Sequence, residues 1–155
     1  MIISICGDPG SGKSTVAKMV AERLKFKYYS IGDLRGKMAL ERGMTIDDLN
    51  ALGEKEAFTD KDVDEFQKEL GQKEDDFVVE GRTSFYFIPH SFKITLKVDK
   101  QISAERIFSA PKRPDEKEYK SVDEVMQTVK NRTESDKRRY QKYYGIDYTD
   151  EKNYD

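Results

Sequence analysis

The chain has 155 residues, 36% hydrophobic and 37% charged, with a formal net charge of -2, one histidine and one cysteine. That length suits one domain with a real core, while the absence of a membrane-length apolar run, a basic leader segment, clustered cysteines or a nucleic-acid motif argues against a membrane, secreted, disulfide-framed, zinc-bound or nucleic-acid-binding protein. The expectation is a cytoplasmic protein, monomeric, acting on small molecules, with no nucleic-acid and no membrane partner.

Ile2 to Cys6 reads as a buried strand, rich in isoleucine and stopped by Gly7. Gly7-Asp8-Pro9-Gly10-Ser11-Gly12-Lys13-Ser14 then matches the phosphate-binding pattern G-x-x-x-x-G-K-[ST], with Thr15 following. Lys13 to Leu24 reads as a helix with Val16, Val20 and Leu24 on one face. Strand, glycine loop and helix are the context in which successive backbone N–H groups cradle phosphate oxygens and the helix adds its positive end. In that pattern Lys13 addresses the β- and γ-phosphates and the Ser14 hydroxyl addresses Mg²⁺. A glycine-rich turn without a ligand is the bland alternative, but eight positions and both flanking elements agree with the motif. The motif establishes nucleotide-phosphate binding and leaves the reaction open.

Further along, residues 26–29 read as a second strand and 33–42 as a helix. Thr45 with Asp48 marks a capping-box start. Val63, Phe66 and Leu70 lie at helical spacing, with Gly71 as a natural stop. Residues 77–80 and 92–98 read as strands and 104–108 as a short helix. The stretch 109–121 carries two prolines and many charges, which marks a loop or flap. Ser121 and Glu124 open a long helix with Val122, Val125, Met126 and Val129 on its apolar face, closed by Gly145. Strands alternating with helices imply an α/β fold, a mostly parallel sheet covered on both faces, with ligands at the carboxyl ends of the strands. A GTPase would need N-K-x-D, which is absent, and the D-x-x-G match at 33–36 falls too soon after the loop.

"YYSIGD" (28–33), "FVVEGR" (77–82), "AERI" (104–107) and "RTESDKRRYQKYYGID" (132–147) together resemble the cytidylate kinase family, its archaeal-type short-flap members above all. The resemblance covers essentially the whole chain in the right order. It implies a three-layer α/β/α P-loop kinase fold, a single domain over 1–155, an acceptor-binding insertion over about 36–76 and a short lid over about 109–120. It implies transfer of the ATP γ-phosphoryl group to CMP, with dCMP or UMP as further acceptors and Mg²⁺ as cofactor. Ser30, Gly32, Asp33 and Arg35 are then expected at the mouth of the monophosphate pocket, Arg82 on the acceptor phosphate, and Arg132, Asp136 and Arg139 on the acceptor nucleotide and the moving phosphoryl group. Helical spacing puts 132, 136 and 139 on one face, where a surface ion-pair ladder is the alternative; Lys137 and Arg138 fit such a ladder. Lys13, Arg82 and Arg132 are the catalytic candidates, and Arg106 is expected near the ATP purine. Lys112 and Arg113 are lid candidates, Glu80 is a candidate for ordering Mg²⁺, and Asp60 and Asp64 have no assigned role.

Two features depart from the family pattern. The arginine that usually follows S-x-G-D-x-x is Gly36 here, and Arg35 comes one residue early. The family also continues beyond the position of Asp155 into a final apolar strand and short helix, so the sheet expected within 1–155 has four strands and lacks the last. Other small-acceptor P-loop kinases, such as adenylate or shikimate kinase, and a non-catalytic nucleotide-binding regulator remain the alternatives.

Overall fold

A computed structural model describes residues 1–155. Four parallel strands form its sheet: β1 (Ile2–Gly7), β2 (Lys27–Ser30), β3 (Phe77–Glu80) and β4 (Phe92–Leu96), in the order β2-β3-β1-β4. The two central strands are buried along their whole length, as continuous apolar runs in a parallel sheet require, and the outer two are only partly covered.

Seven helices surround the sheet: α1 (Lys13–Leu24), α2 (Ile31–Glu41), α3 (Ile46–Lys55), α4 (Phe58–Lys73), α5 (Ser84–Phe87), α6 (Lys100–Ser109) and α7 (Val122–Tyr144). On one face, Ile3, Ile5 and Val78 pack against α1; on the other, Ile2, Phe77 and Val79 pack with Met38, Leu49, Val63 and Leu70 of α2, α3 and α4. A third cluster joins Cys6 and Phe85 to Tyr140 and Tyr148, which ties the carboxyl end of β1 and α5 to α7 and the segment after it. No helix is long and apolar enough to cross a membrane.

Several expected boundaries move, each for a local reason. α2 begins at Ile31, because Ser30 Oγ accepts the Asp33 N–H at 3.1 Å and so caps the helix two residues early. α6 begins at Lys100, capped by Asp99. Gly71 does not stop α4; it lies inside the helix, where an added Cβ would stand 3.0 Å from Ile88 Cγ2, so the glycine permits a close approach. α1 buries Ala17 and Ala21 rather than Leu24, which is 45% exposed; the small residues let the helix lie close on the sheet. Phe66 is also largely exposed, and Gln67 takes the buried position beside Val63 and Leu70. The Thr45–Asp48 capping box forms in full. At α7, Ser121 accepts the Glu124 N–H, while the Glu124 carboxylate turns to Lys120 N rather than back to Ser121. After α7 the chain returns to the sheet edge, where Asp155 N donates to Lys93 O and Lys93 N donates to Asp155 Oδ2.

Candidate active site

The carboxyl ends of β1, β2 and β3 open into one cleft of about 740 Å³, bounded by the glycine loop, the start of α2, parts of α3, α4 and α7, and residues 106–119. Of the residues singled out from the sequence, Pro9, Gly10, Gly12, Lys13, Ser14, Thr15, Ser30, Gly32, Arg35, Asp60, Asp64, Glu80, Arg82, Arg106, Lys112, Arg113, Arg132, Asp136 and Arg139 line it. Gly7, Asp8, Ser11 and Asp33 do not. The Asp8 carboxylate instead accepts the Val98 N–H at 3.3 Å and ties the loop to the end of β4, a bracing role rather than a ligand-facing one. Asp33 faces outward and pairs with Arg113 of the flap at 3.0 Å.

At one end of the cleft, the loop delivers α1 with a bare N-terminus. Gly12 is its cap residue, in the left-handed region with φ 84°, and no side chain closes the first turn. A Cβ at Gly12 would meet nothing within 4 Å, and Gly12, Lys13, Ser14 and Thr15 all line the cleft. Uncapped N–H groups and the helix dipole together make an anion site. Arg106 donates to Gly10 O at 3.3 Å, and Ser103 Oγ donates to Pro9 O at 2.7 Å, so α6 braces the loop from outside. Burial lowers the Lys13 pKa and neighbouring Arg82 lowers it further, while Glu80 opposes both. Two cations this close favour an anion between them. Ser14 Oγ donates to Glu80 Oε2 at 2.8 Å, which sets a hydroxyl and a carboxylate side by side at the helix start. Oxygen donors of this kind suit a hard cation such as Mg²⁺.

At the other end lies a cluster built from five segments. Arg35 donates to Asn50 Oδ1 at 3.1 Å, to Thr59 O at 3.2 Å and to the Asp60 carboxylate. Arg139, 1% exposed, donates to Asn50 Oδ1 at 2.7 Å and to Asp136 Oδ1 at 2.8 Å, and its Nε lies 3.5 Å from Asp60 Oδ2. Arg82 Nε lies 3.0 Å from Asp136 Oδ2, with its N–H out of line. Three guanidinium groups thus face two carboxylates. Arg35 Nη2, Arg82 Nε and Arg139 Nε have no hydrogen-bond partner, and neither do Asp136 Oδ2 and Asp60 Oδ2, which face Arg82 Nε and Arg139 Nε as ion pairs; Arg35 Nη2 is the nitrogen left without a facing carboxylate oxygen. Burial, followed by the nearness of Arg139, lowers the Arg35 pKa. Buried cations in excess of their partners are costly unless an anion completes the set.

Arg132 shares this face of α7 but is already engaged, by Asp47 Oδ1 at 2.6 Å from α3 and by Glu116 Oε1 at 2.7 Å from the flap. Lys137 and Arg138 point away from the cleft, to Asp147 and Glu54. Gly36 is filled by the flap rather than left bare: an added Cβ would stand 2.6 Å from Asp115 Oδ2, and Asp115 is buried. The sequence patterns did not single out Asp47, Asn50, Asp115, Glu116 or Tyr28. Asp47, Asn50, Asp115 and Glu116 are polar residues on helices or a charged loop, with no spacing to mark them.

Residues 2–155 match the model of the cytidylate kinase-like family. The chain belongs to the cytidylate kinase-like family. It is 38% identical over 148 residues to a cytidylate kinase of Archaeoglobus fulgidus, covering 95% of this chain and 78% of the relative. It is 39% identical over 155 residues to a cytidylate kinase of Methanocella arvoryzae, covering 100% of this chain and 85% of that one. Its fold is similar to that of a shikimate kinase from Aquifex aeolicus, with TM-score 0.52 at 21% identity over 86% of this chain and 80% of that one. The chain is thus a kinase of this family, with a P-loop kinase fold; the bare α1 terminus and the arginine cluster are the two ends of its cleft.

Proposed function

We propose that the chain transfers the γ-phosphoryl group of ATP to CMP. The observation that carries this is the pairing within one cleft of a bare helix N-terminus carrying Lys13 with a buried, cation-rich cluster at Arg35, Arg82 and Arg139. A donor triphosphate on the loop would meet an acceptor monophosphate on the arginines.

Phosphoryl transfer asks the protein for positioning and charge neutralisation rather than covalent chemistry. The α1 N–H groups and Lys13 hold the donor phosphates. Arg35 and Arg139, fixed by Asn50 and Asp60, hold the acceptor phosphate in one orientation. Arg82, a member of the arginine end that also lowers the Lys13 pKa, would follow charge onto the moving group. Ser14 and Glu80 would hold Mg²⁺, which supplies charge neutralisation between phosphate oxygens. The segment 36–76 supplies Asp47, Asn50 and Asp60 and acts as the acceptor-binding insertion. Residues 109–120 act as the lid, whose Glu116 gives up Arg132 when phosphate oxygens replace it. Within this segment Asp47 holds Arg132 and Asp60 holds Arg35.

The experiment is an acceptor panel. With ATP and Mg²⁺, CMP stimulates ADP release most, above dCMP, UMP, AMP and shikimate. Preference for AMP would overturn the base assignment alone. Tight ATP binding with no stimulation by any acceptor would overturn the kinase function in favour of a nucleotide-binding regulator.

A further inference from the structure

Tyr28 belongs to neither the glycine loop nor the cleft lining, yet it touches the residue expected beside the metal. Its hydroxyl donates to Glu80 Oε1 at 2.6 Å, while Ser14 Oγ donates to Glu80 Oε2 at 2.8 Å. These two hydroxyls are the side-chain hydrogen-bond partners of a carboxylate in a residue only 4% exposed. The strand register explains the contact. Tyr28 pairs with Val78 and Ser30 pairs with Glu80, so Tyr28 and Glu80 lie on the same face of the sheet as diagonal neighbours. A tyrosine is long enough to span that diagonal. Its ring is fixed in turn: it packs on the cluster of Ile3, Ile5, Ala17 and Ala21, and the Lys18 ammonium lies 5.5 Å from its centroid.

A carboxylate held at one oxygen only is free to rotate about its last bond. Held at both, its plane is set. We propose that Tyr28 is a positioning residue for the divalent cation that accompanies the nucleotide phosphates: by occupying Oε1 of Glu80 it keeps Oε2 turned to Ser14 at the α1 terminus. This rests on the kinase function proposed above. Partners one shell out from a metal's ligands orient those ligands, and removing one such partner typically weakens metal binding about 10- to 100-fold.

Tyr28→Phe deletes the hydroxyl and keeps the ring, so packing and fold are preserved. The probe is Mn²⁺ with ADP, read as free Mn²⁺ by electron paramagnetic resonance, beside calorimetric ADP binding without metal. The variant should bind Mn²⁺ about 10-fold more weakly in the presence of ADP, while its metal-free ADP affinity is unchanged. The Mg²⁺ concentration giving half-maximal CMP-dependent ADP release should rise by a similar factor. In a Glu80→Gln background, Tyr28→Phe should cause no further loss, because the hydroxyl acts through the carboxylate. An unchanged Mn²⁺ affinity, an equal loss of metal-free ADP binding, or additive losses in the double variant would each overturn the inference and leave the kinase function standing. A wild-type protein that takes up no Mn²⁺ with ADP would overturn both.

Discussion

The two ends of the cleft are built in opposite ways. The loop end is contiguous in sequence and made mostly of backbone: Gly12, the first turn of α1 and Lys13 lie within a few residues, with no side chain closing the helix. The arginine end draws Arg35, Asn50, Asp60, Arg82, Asp136 and Arg139 from α2, α3, α4, the turn after β3 and α7. Its geometry depends on mutual charge balance among side chains in the interior. Damage to the first should therefore appear as lost chemistry. Damage to the second should appear as lost stability and lost acceptor binding together.

Asp136→Ala gives the sharpest form of that difference. Asp136 is 1% exposed and faces both Arg82 and Arg139. Its removal leaves Arg82 without a carboxylate and Arg139 with Asp60 alone, and breaking a buried pair in this way costs about 3–5 kcal/mol. Chemical denaturation should show that loss. A loss of stability below about 1 kcal/mol would mean that the cluster is wet and loosely coupled. Lys13→Ala should do the reverse. Turnover should fall on the order of 10²–10³-fold, as for deletion of one group that stabilises transition-state charge, with CMP affinity and stability nearly unchanged. Near-normal turnover would mean that the loop end does not hold the reacting phosphates.

Arg35 and Gly36 sharpen the comparison further. The family pattern has an arginine where this chain has Gly36, and the flap residue Asp115 packs against that glycine. Gly36→Arg must displace Asp115 and with it the Arg113–Asp115 contact of 3.3 Å, so it should raise the KM for CMP. Arg35→Ala should raise that KM by roughly 10- to 150-fold, the equivalent of one charge-assisted hydrogen bond, and leave the KM for ATP unchanged. A lower KM for CMP in Gly36→Arg would show that the pocket does lack a fork at position 36.

The smallest expected effect concerns Asp64, which accepts a hydrogen bond from Tyr144 at the rim of the cluster. Burial raises its pKa to about 6, against the ordinary 3.8. A carboxyl raised in the folded state takes up a proton on folding. Its charge therefore weakens the fold above about pH 6, and this weakening fades as pH falls toward 4. Asp64→Asn should melt higher than the wild type at pH 8, by about 2 °C once solvent screening of a part-exposed group is allowed for. The gain should vanish near pH 4. A gain independent of pH would assign the effect to packing rather than to charge.

How much of this was legible follows the same division. The loop end was readable because its meaning lies in glycine spacing, which dictates backbone form directly. Four strands and their rough limits were readable from apolar runs, and the i, i+4, i+7 spacing placed Arg132, Asp136 and Arg139 on the face that lines the cleft. Tertiary partners were not readable. Nothing in the sequence pairs Arg132 with Asp47 and Glu116, 85 and 16 residues away, or puts Asp115 over Gly36. The early start of α2 depends on one serine hydroxyl, and the Tyr28–Glu80 bond depends on which strands are neighbours. The register settles such contacts, and local pattern does not carry the register.

On the proposed function, a phosphoryl group passes from the donor on the loop to the acceptor on the arginines. The most direct test is a product analysis with γ-phosphate-labelled ATP, Mg²⁺ and CMP. The label should appear in CDP, at a rate that falls in Lys13→Ala and recovers with CMP concentration in Arg35→Ala. Label found only in inorganic phosphate, with CMP recovered unchanged, would contradict the account.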